Sequence, residues 1–465
     1  MTARIRLLVA VALAATVVAG GFAMERRIGA APRAPSFAPP GVSGARYCPH
    51  GGGQGWRAWI VMANPAEVPT DVVLTSRTGA GPPQTVASTV APGTHVYVEV
   101  PAAEMASATV VEFFGSPVAA GMVTARPDGE GGVGAEPCAD RPAARWFVPE
   151  ASTLRGQDAT VLIHNPFGSE AVIDVRLLAE AGPISHGRLR GLVLDPGQVK
   201  AVSVGRFALG EPGVAAAVEA HLGRVVVGGV NVSTAGVRTV VGTPVVSGSW
   251  VLPGAGDVAA GRLVVSAPAD DAAFRADVLS AAGPAPLVDL ESVAGHSSAT
   301  FDLPAEAGGV LVQGEGAAPL LAGRLLVPPA PEPAPVPRRE RRGGGQGGGG
   351  QGGEDGREEP PEPREPEPGD LAATGGAPVG ANRWVALPAT PPEGGPAALV
   401  LQNPGGGAAQ VRVSILGSEE VMPEVVEVPP GSFVLVELPS TPAAVLVESE
   451  GAPVVPAQVS LDRRT

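Results

Sequence analysis

Residues 145–166 open with Arg145-Trp146-Phe147-Val148-Pro149 and close with Val161-Leu162-Ile163-His164-Asn165-Pro166. A Pro-Gly pair follows at Pro196-Gly197, and Gly223 then precedes the apolar run Val225-Val226-Val227. These four landmarks recur, in order, in three other parts of the chain. The heads of the other copies are Arg46-Tyr47-Cys48-Pro49, Ser249-Trp250-Val251-Leu252-Pro253 and Arg383-Trp384-Val385-Ala386-Leu387-Pro388. The second landmark is Asn64-Pro65, Ala267-Pro268 and Asn403-Pro404, and the third is Pro92-Gly93, Ala294-Gly295 and Pro430-Gly431. Gly115, Gly316 and Gly451 supply the last. Nineteen residues separate Trp146 from Asn165 and Trp384 from Asn403; seventeen separate Tyr47 from Asn64 and Trp250 from Ala267.

The physics of the repeat is that of antiparallel sheet. Val-rich runs of four to eight residues and period-two alternation, clear in His95-Val96-Tyr97-Val98-Glu99-Val100, are strand signals. Pro-Gly fixes one φ and frees the next for a positive value, which suits a type II turn. Asn-Pro ends a strand, because Pro cannot donate to a ladder and Asn can bond its own backbone. Each copy reads as six or seven strands in 80 to 100 residues, the size of an immunoglobulin-like β-sandwich. A propeller blade needs about half that length. The expected fold is all-β: four tandem immunoglobulin-like β-sandwich modules behind an N-terminal transmembrane or signal helix.

The expected boundaries are 1–27 for a signal anchor or signal peptide, 28–45 for a linker, and 46–140, 141–240 and 245–327 for modules one to three. Residues 328–381 form a linker and 382–465 module four. Arg4 and Arg6 precede an uncharged run from Leu7 to Met24, closed by Glu25, Arg26 and Arg27. Its 18 residues reach the lower limit for spanning a bilayer, and the leading charges place the N-terminus inside. A single-pass protein with its bulk outside the cytoplasm is expected, with cleavage after Ala23 and secretion as the alternative. The segment before module four is Pro-rich, then basic at Arg338-Arg339-Glu340-Arg341-Arg342, then Gly- and Gln-rich, then rich in Glu and Pro. With almost no apolar residues, it reads as disordered. Modules one to three are expected to form a rod, with module four on a leash of about 40 Å.

Composition narrows the function. The formal charge of −14 argues against nucleic acid as a partner. Two cysteines in an exported chain, Cys48 and Cys138, imply a disulfide closing a loop of ninety residues. No cofactor, metal or catalytic residue is expected. His164 stands where other copies have Ala63, Ser266 and Gln402, and reads as solvent-facing. Ser297 and Ser298 lack a nucleophile elbow. The adjacent acids Asp270-Asp271 and Glu419-Glu420 lack the alternating spacing of a calcium loop. The head aromatics read as packing anchors. Trp56 and Trp59 are extra to the repeat and stand among glycines, so they are the candidate ligand contacts, Trp56 first.

A membrane anchor followed by repeated aromatic-Pro, Asn-Pro and Pro-Gly β-modules resembles an uncharacterised exported family of actinomycetes, a domain-of-unknown-function group. The resemblance covers Arg46 to the C-terminus, apart from the linker, and brings no site residues with it. The expectation is a non-enzymatic scaffold or interaction protein of the bacterial cell envelope. Its partner would be an envelope protein or wall polymer. The alternatives are a wall-carbohydrate binder and an accessory subunit of an envelope transferase or transporter.

Overall fold

A computed structural model of the chain describes residues 43–326 and 377–460, except 103, 127–131, 234–235, 255–260, 305–306, 379, 396 and 419–424. The targeting segment at 1–27 and most of the linker lie outside the described residues. Among the described residues no helix is long and apolar enough to cross a membrane. They form four modules of two antiparallel sheets each.

Module one contains β1 (Gly44–His50), β2 (Arg57–Asn64), β3 (Thr70–Thr78), β4 (Gln84–Val90), β5 (Thr94–Val100), β6 (Ser107–Phe114), β7 (Ala119–Ala125) and β8 (Val133–Pro137). Its front sheet runs β1-β6-β3-β4 and its back sheet β5-β2-β7-β8. Module two contains β9 (Arg145–Val148), β10 (Gln157–His164), β11 (Ala171–Ala179), β12 (Gly182–Ile184), β13 (Leu192–Leu194), β14 (Val199–Ser203), β15 (Ala215–Leu222), β16 (Val226–Ser233) and β17 (Gly236–Val241). Its front sheet is β9-β15-β11, extended by β12 and β13, and its back sheet β14-β10-β16-β17.

Module three contains β18 (Ser249–Pro253), β19 (Gly261–Ala267), β20 (Ala272–Ser280), β21 (Gly283–Val293), β22 (Ser297–Leu303), β23 (Gly309–Glu315) and β24 (Leu321–Leu326). Its sheets are β18-β23-β20-β21 and β22-β19-β24. Module four contains β25 (Arg383–Ala386), β26 (Ala397–Asn403), β27 (Ala409–Ile415), β28 (Val426–Val428), β29 (Ser432–Glu437), β30 (Val445–Gly451) and β31 (Val455–Ser460). Its sheets are β25-β30-β27-β28 and β29-β26-β31. The sandwich and its repetition agree with the sequence. The pairing order departs from the ABED/CFG order of immunoglobulin constant domains, because the head strand pairs with the sixth strand of modules one, three and four and the seventh of module two, not with strand two.

The landmarks have structural causes. The indole N–H of Trp146 donates to the carbonyl of Val225 at 2.7 Å, that of Trp250 to Leu320 at 2.9 Å, and that of Trp384 to Val454 at 2.8 Å. Each of those acceptors also bridges, backbone to backbone, to Ala143, Ser247 or Ala381, three residues before its tryptophan. The head tryptophan therefore pins the start of its module to the turn after the strand that its head strand pairs with. The Asn side chains are staples. Asn64 Nδ2 donates to the carbonyls of Val68 and Val90 while its oxygen accepts from Ala66 N–H. Asn165 and Asn403 repeat this with Ser169 and Leu194, and with Gly407 and Val428.

The second strand of each module is almost wholly buried; β26 is buried from Ala397 to Asn403 and β2 from Ala58 to Asn64. One face of such a strand fills its own sandwich, and the other faces a neighbouring module. The rule is the same at every seam: the outer face of one front sheet packs on the outer face of the next back sheet. Trp56, from the loop after β1, packs with Leu162, Val230 and Val237 of module two. Phe147, Leu178 and Ala215 of module two join the apolar cluster of module three. Val251, Leu279 and Leu311 of module three meet Val455 of module four. The cycle then closes. Leu387, Ala389, Leu416 and Ala444 of module four pack on Trp59, Val61, Ala63 and Val123 of module one.

The expected rod with a tethered fourth module is therefore corrected: the four modules form a closed head-to-tail ring. Both flanks of the linker are anchored in module three, where Leu326 pairs with Gly261 and Ala377 bridges to Val251. Thr243 meets Phe147 at the corresponding place in module two. A local reading could not find this, because heterologous contacts join surfaces far apart in sequence.

Candidate functional site

The structure moves several residues that the sequence had singled out. Cys48 and Cys138 are joined, with Cα atoms 4.6 Å apart and ninety residues of separation. The bond ties the head strand to the chain just beyond β8. Trp56 and Trp59 are only 6% and 4% exposed. Each lies in an inter-module seam beneath a guanidinium, Arg126 over Trp56 at 4.9 Å and Arg57 over Trp59 at 4.6 Å. They are corrected from ligand contacts to seam anchors: the glycines that suggested an exposed loop pack tightly within module one, Gly51 on Met105 and Gly52 on Trp56 itself.

His164 is likewise corrected from solvent-facing to 2% exposed. It ends a strand whose outer face is covered by module one. Asp271 accepts the Gly295 N–H at 2.7 Å in a turn. Ser298 donates to the carbonyls of Leu178 and Gly213 across a seam. Glu419-Glu420 lie outside the described residues.

The strongest candidate site is a cleft of about 410 Å³ at the seam between modules two and three. Its floor is the outer face of the module-two front sheet. On that face β-alternation presents Arg145 and Phe147 from β9, Ala217 and Glu219 from β15, and Asp174 and Arg176 from β11. Register sets them in two rows. Arg145 pairs with Glu219 and Glu219 with Asp174; Phe147 pairs with Ala217 and Ala217 with Arg176. Val246, Pro268, Ala269, His296 and Pro319 of module three form the opposite wall.

The carboxylates of the first row are already engaged. Arg145 lies 3.2 Å from Glu219, and His221 lies 3.1 Å from Asp174. The Gly191 N–H, donating to Asp174 at 2.7 Å, holds that carboxyl below its usual range, with His221 adding to the effect. Arg190 also lines the cleft. The second row is different. Among the described residues Arg176 makes no ion pair with a carboxylate. Its Nη1 lies 3.4 Å from Nδ1 of His296.

His296 is the one non-glycine residue with positive φ among the described residues, at 62°. Gly93 and Gly431 have φ of 62° and Gly197 has 70° in the matching turns of the other modules. The backbone bonds agree. The N–H that closes each turn runs from Thr94 to Ala91, from Gln198 to Asp195, and from Ser297 to Ala294. The third-copy turn is thus Gly295-His296, one residue later than Ala294-Gly295. Spacing held a signal for it, since His296 follows Ala267 by 29 residues, as Gly93 follows Asn64. A histidine now occupies the left-handed position that its three counterparts give to glycine. Such a conformation costs on the order of 1–3 kcal/mol, and strain of this kind clusters at ligand sites.

The fold and cleft define an all-β protein of repeated two-sheet sandwiches with a polar-lined seam. A family model described as a family of unknown function, DUF5719, matches residues 106–328. That span begins within module one, runs through module three, and contains every residue of the cleft. No curated protein and no solved structure matches the chain.

Proposed function

We propose that the chain is a non-enzymatic extracytoplasmic interaction protein of the bacterial cell envelope, in which a rigid ring of sandwiches holds one docking cleft in fixed geometry. The observation that carries this reading is His296, strained in a position that favours glycine, at the wall of the cleft between modules two and three. Histidine is among the non-glycine residues found most often at positive φ, yet the three counterpart turns all use glycine. The joined cysteines support an oxidising compartment.

Photo-crosslinking tests the proposal. A photoreactive residue at Val246 or Pro319, in cells with an intact envelope, should trap one dominant partner. The same residue at Leu209, which is 85% exposed and lies outside the cleft, should not. His296→Gly should reduce the yield while leaving thermal stability equal or higher. Equal labelling at both sites sinks the reading.

A further inference from the structure

We infer that the cleft between modules two and three takes a ligand bearing one anionic group beside an apolar body, with Arg176 and His296 as the anion clamp. The inference rests on the docking role proposed above and adds the chemistry of what docks. Three observations meet here. First, the charges are uneven. Arg145, Arg176 and Arg190 line the cleft with only two carboxylates, Asp174 and Glu219. Arg145 and His221 already engage those two. The Arg176 guanidinium is left facing a histidine rather than an acid. A planar guanidinium with free donors matches a carboxylate or phosphate in two-point geometry.

Second, the strain at His296 holds its Nδ1, the acceptor in this contact, beside that guanidinium, which leaves the other guanidinium N–H groups and the imidazole Nε2–H as the donors for one anion. Third, apart from Ser185 and the charged groups, the lining is apolar. Phe147, Ala217, Val246, Ala269 and Pro319 supply an apolar side to a cleft of about 410 Å³, within the usual range for small-molecule sites. The seam supplies both parts of the clamp, so neither module alone would bind. The anion can be a free small acid or an acidic group at the end of a docked partner; the recognition chemistry is shared.

The test uses the full chain in detergent with 4-phenylbutyrate and its neutral analogue 4-phenylbutyramide as probes, read by isothermal titration and ligand-observed NMR. The carboxylate should bind at least about 10-fold more tightly than the amide, and less tightly as salt rises. Arg176→Gln should lower carboxylate affinity about 10-fold or more without changing that of the amide. His296→Gly should also weaken it, and its improved backbone keeps the fold intact as a control. Arg188→Gln, outside the cleft, should change nothing. Equal binding of amide and carboxylate, an unaffected Arg176→Gln, or no binding of either probe overturns the inference. The outcomes separate from those of the docking role. A crosslinked partner with no preference for anionic probes defeats only the clamp. Carboxylate binding without a partner crosslinked at Val246 defeats only the docking role, with a free small acid then the ligand.

Discussion

The Tyr97 hydroxyl donates to the backbone carbonyl of Thr390 at 3.0 Å, across 293 residues of chain. That bond joins the first module to the last. It sits beside Trp59, Leu387 and Ala389, which bury the same seam. Gly121 marks how close the approach is, since a Cβ there would stand 2.8 Å from Leu387 Cδ1.

Closure makes module four depend on module one. Tyr97→Phe should destabilise the protein by about 1 kcal/mol, the net value of a hydrogen bond. Trp59→Ala should cost about 3–5 kcal/mol, as for other buried aromatics. Hydrogen exchange checks the coupling. In Trp59→Ala the amides of β25 and β26 should lose protection, although they belong to another module. Unchanged exchange there would show that the last seam bears no load.

The seam between modules one and two is sensitive to acid. His50 is fully buried, with Nε2 2.8 Å from Thr109 Oγ1, and burial pushes its imidazole down to about 4. His164 is pushed down to about 3, by burial first and then by Arg77 and His50. Both are neutral when folded at neutral pH, whereas an unfolded imidazole titrates near 6.5. Between those values the unfolded chain binds more protons, so stability is full above about pH 6.5 and falls as pH falls toward the folded values. The slope is about 1.4 kcal/mol per pH unit for each histidine. Urea midpoints from pH 7.5 to 4.5 should show it. His164→Gln, the residue found at Gln402 in module four, should flatten the curve by one group.

Asn165 supports a turn with its amide alone. It donates to Ser169, Leu194 and Asp195 carbonyls at 2.7, 3.2 and 3.1 Å and accepts from the Phe167 N–H. Asn165→Ala leaves buried carbonyls without partners and should cost about 2–4 kcal/mol by denaturant unfolding. Asp271→Ala, in the module where Ala267 replaces the asparagine, removes a single exposed bond and should cost about 1 kcal/mol or less.

Glu150 holds two buried cations. Its carboxylate accepts from Arg238 and lies near Arg324, and all three side chains are at most 5% exposed. Burial raises the Glu150 carboxyl, against the pull of Arg238, and lowers Arg324 to about 10. Glu150→Ala strands the two guanidinium groups and should cost about 3–5 kcal/mol. Glu150→Ala with Arg238→Met should recover part of that loss, and a double-mutant cycle in urea measures the coupling.

The sandwich modules were legible because their landmarks answer local physics. Trp146, Asn165 and Gly197 each satisfy a backbone need that recurs wherever the turn recurs. The ring was less legible, although a sign of it was present. Leu399-Val400-Leu401-Gln402-Asn403 does not alternate, and a strand without alternation is covered on both faces. The second cover for such a strand had to be another module. Nothing local marks Leu387 and Leu416 as the surface that meets Trp59 and Ala63. Trp56 misled for a related reason: glycines read as an exposed loop also permit the closest packing. The cleft was hidden by one residue of register. With the turn assigned to Gly295, His296 looked like an unremarkable loop residue, and Arg176 gave no sign that its cross-seam neighbour was a histidine.

The ring is made from one covalent chain, and that fact decides how it can change. Four identical subunits in the same arrangement would carry any new side chain at every seam, and with it four copies of the strained turn. Here the repeats are free to drift apart. One junction has exchanged glycine for histidine while Gly93, Gly197 and Gly431 keep the relaxed form at the other three. Among the described residues, positive-φ strain on a side chain is thus confined to a single address, the junction whose sequence has departed from the other three.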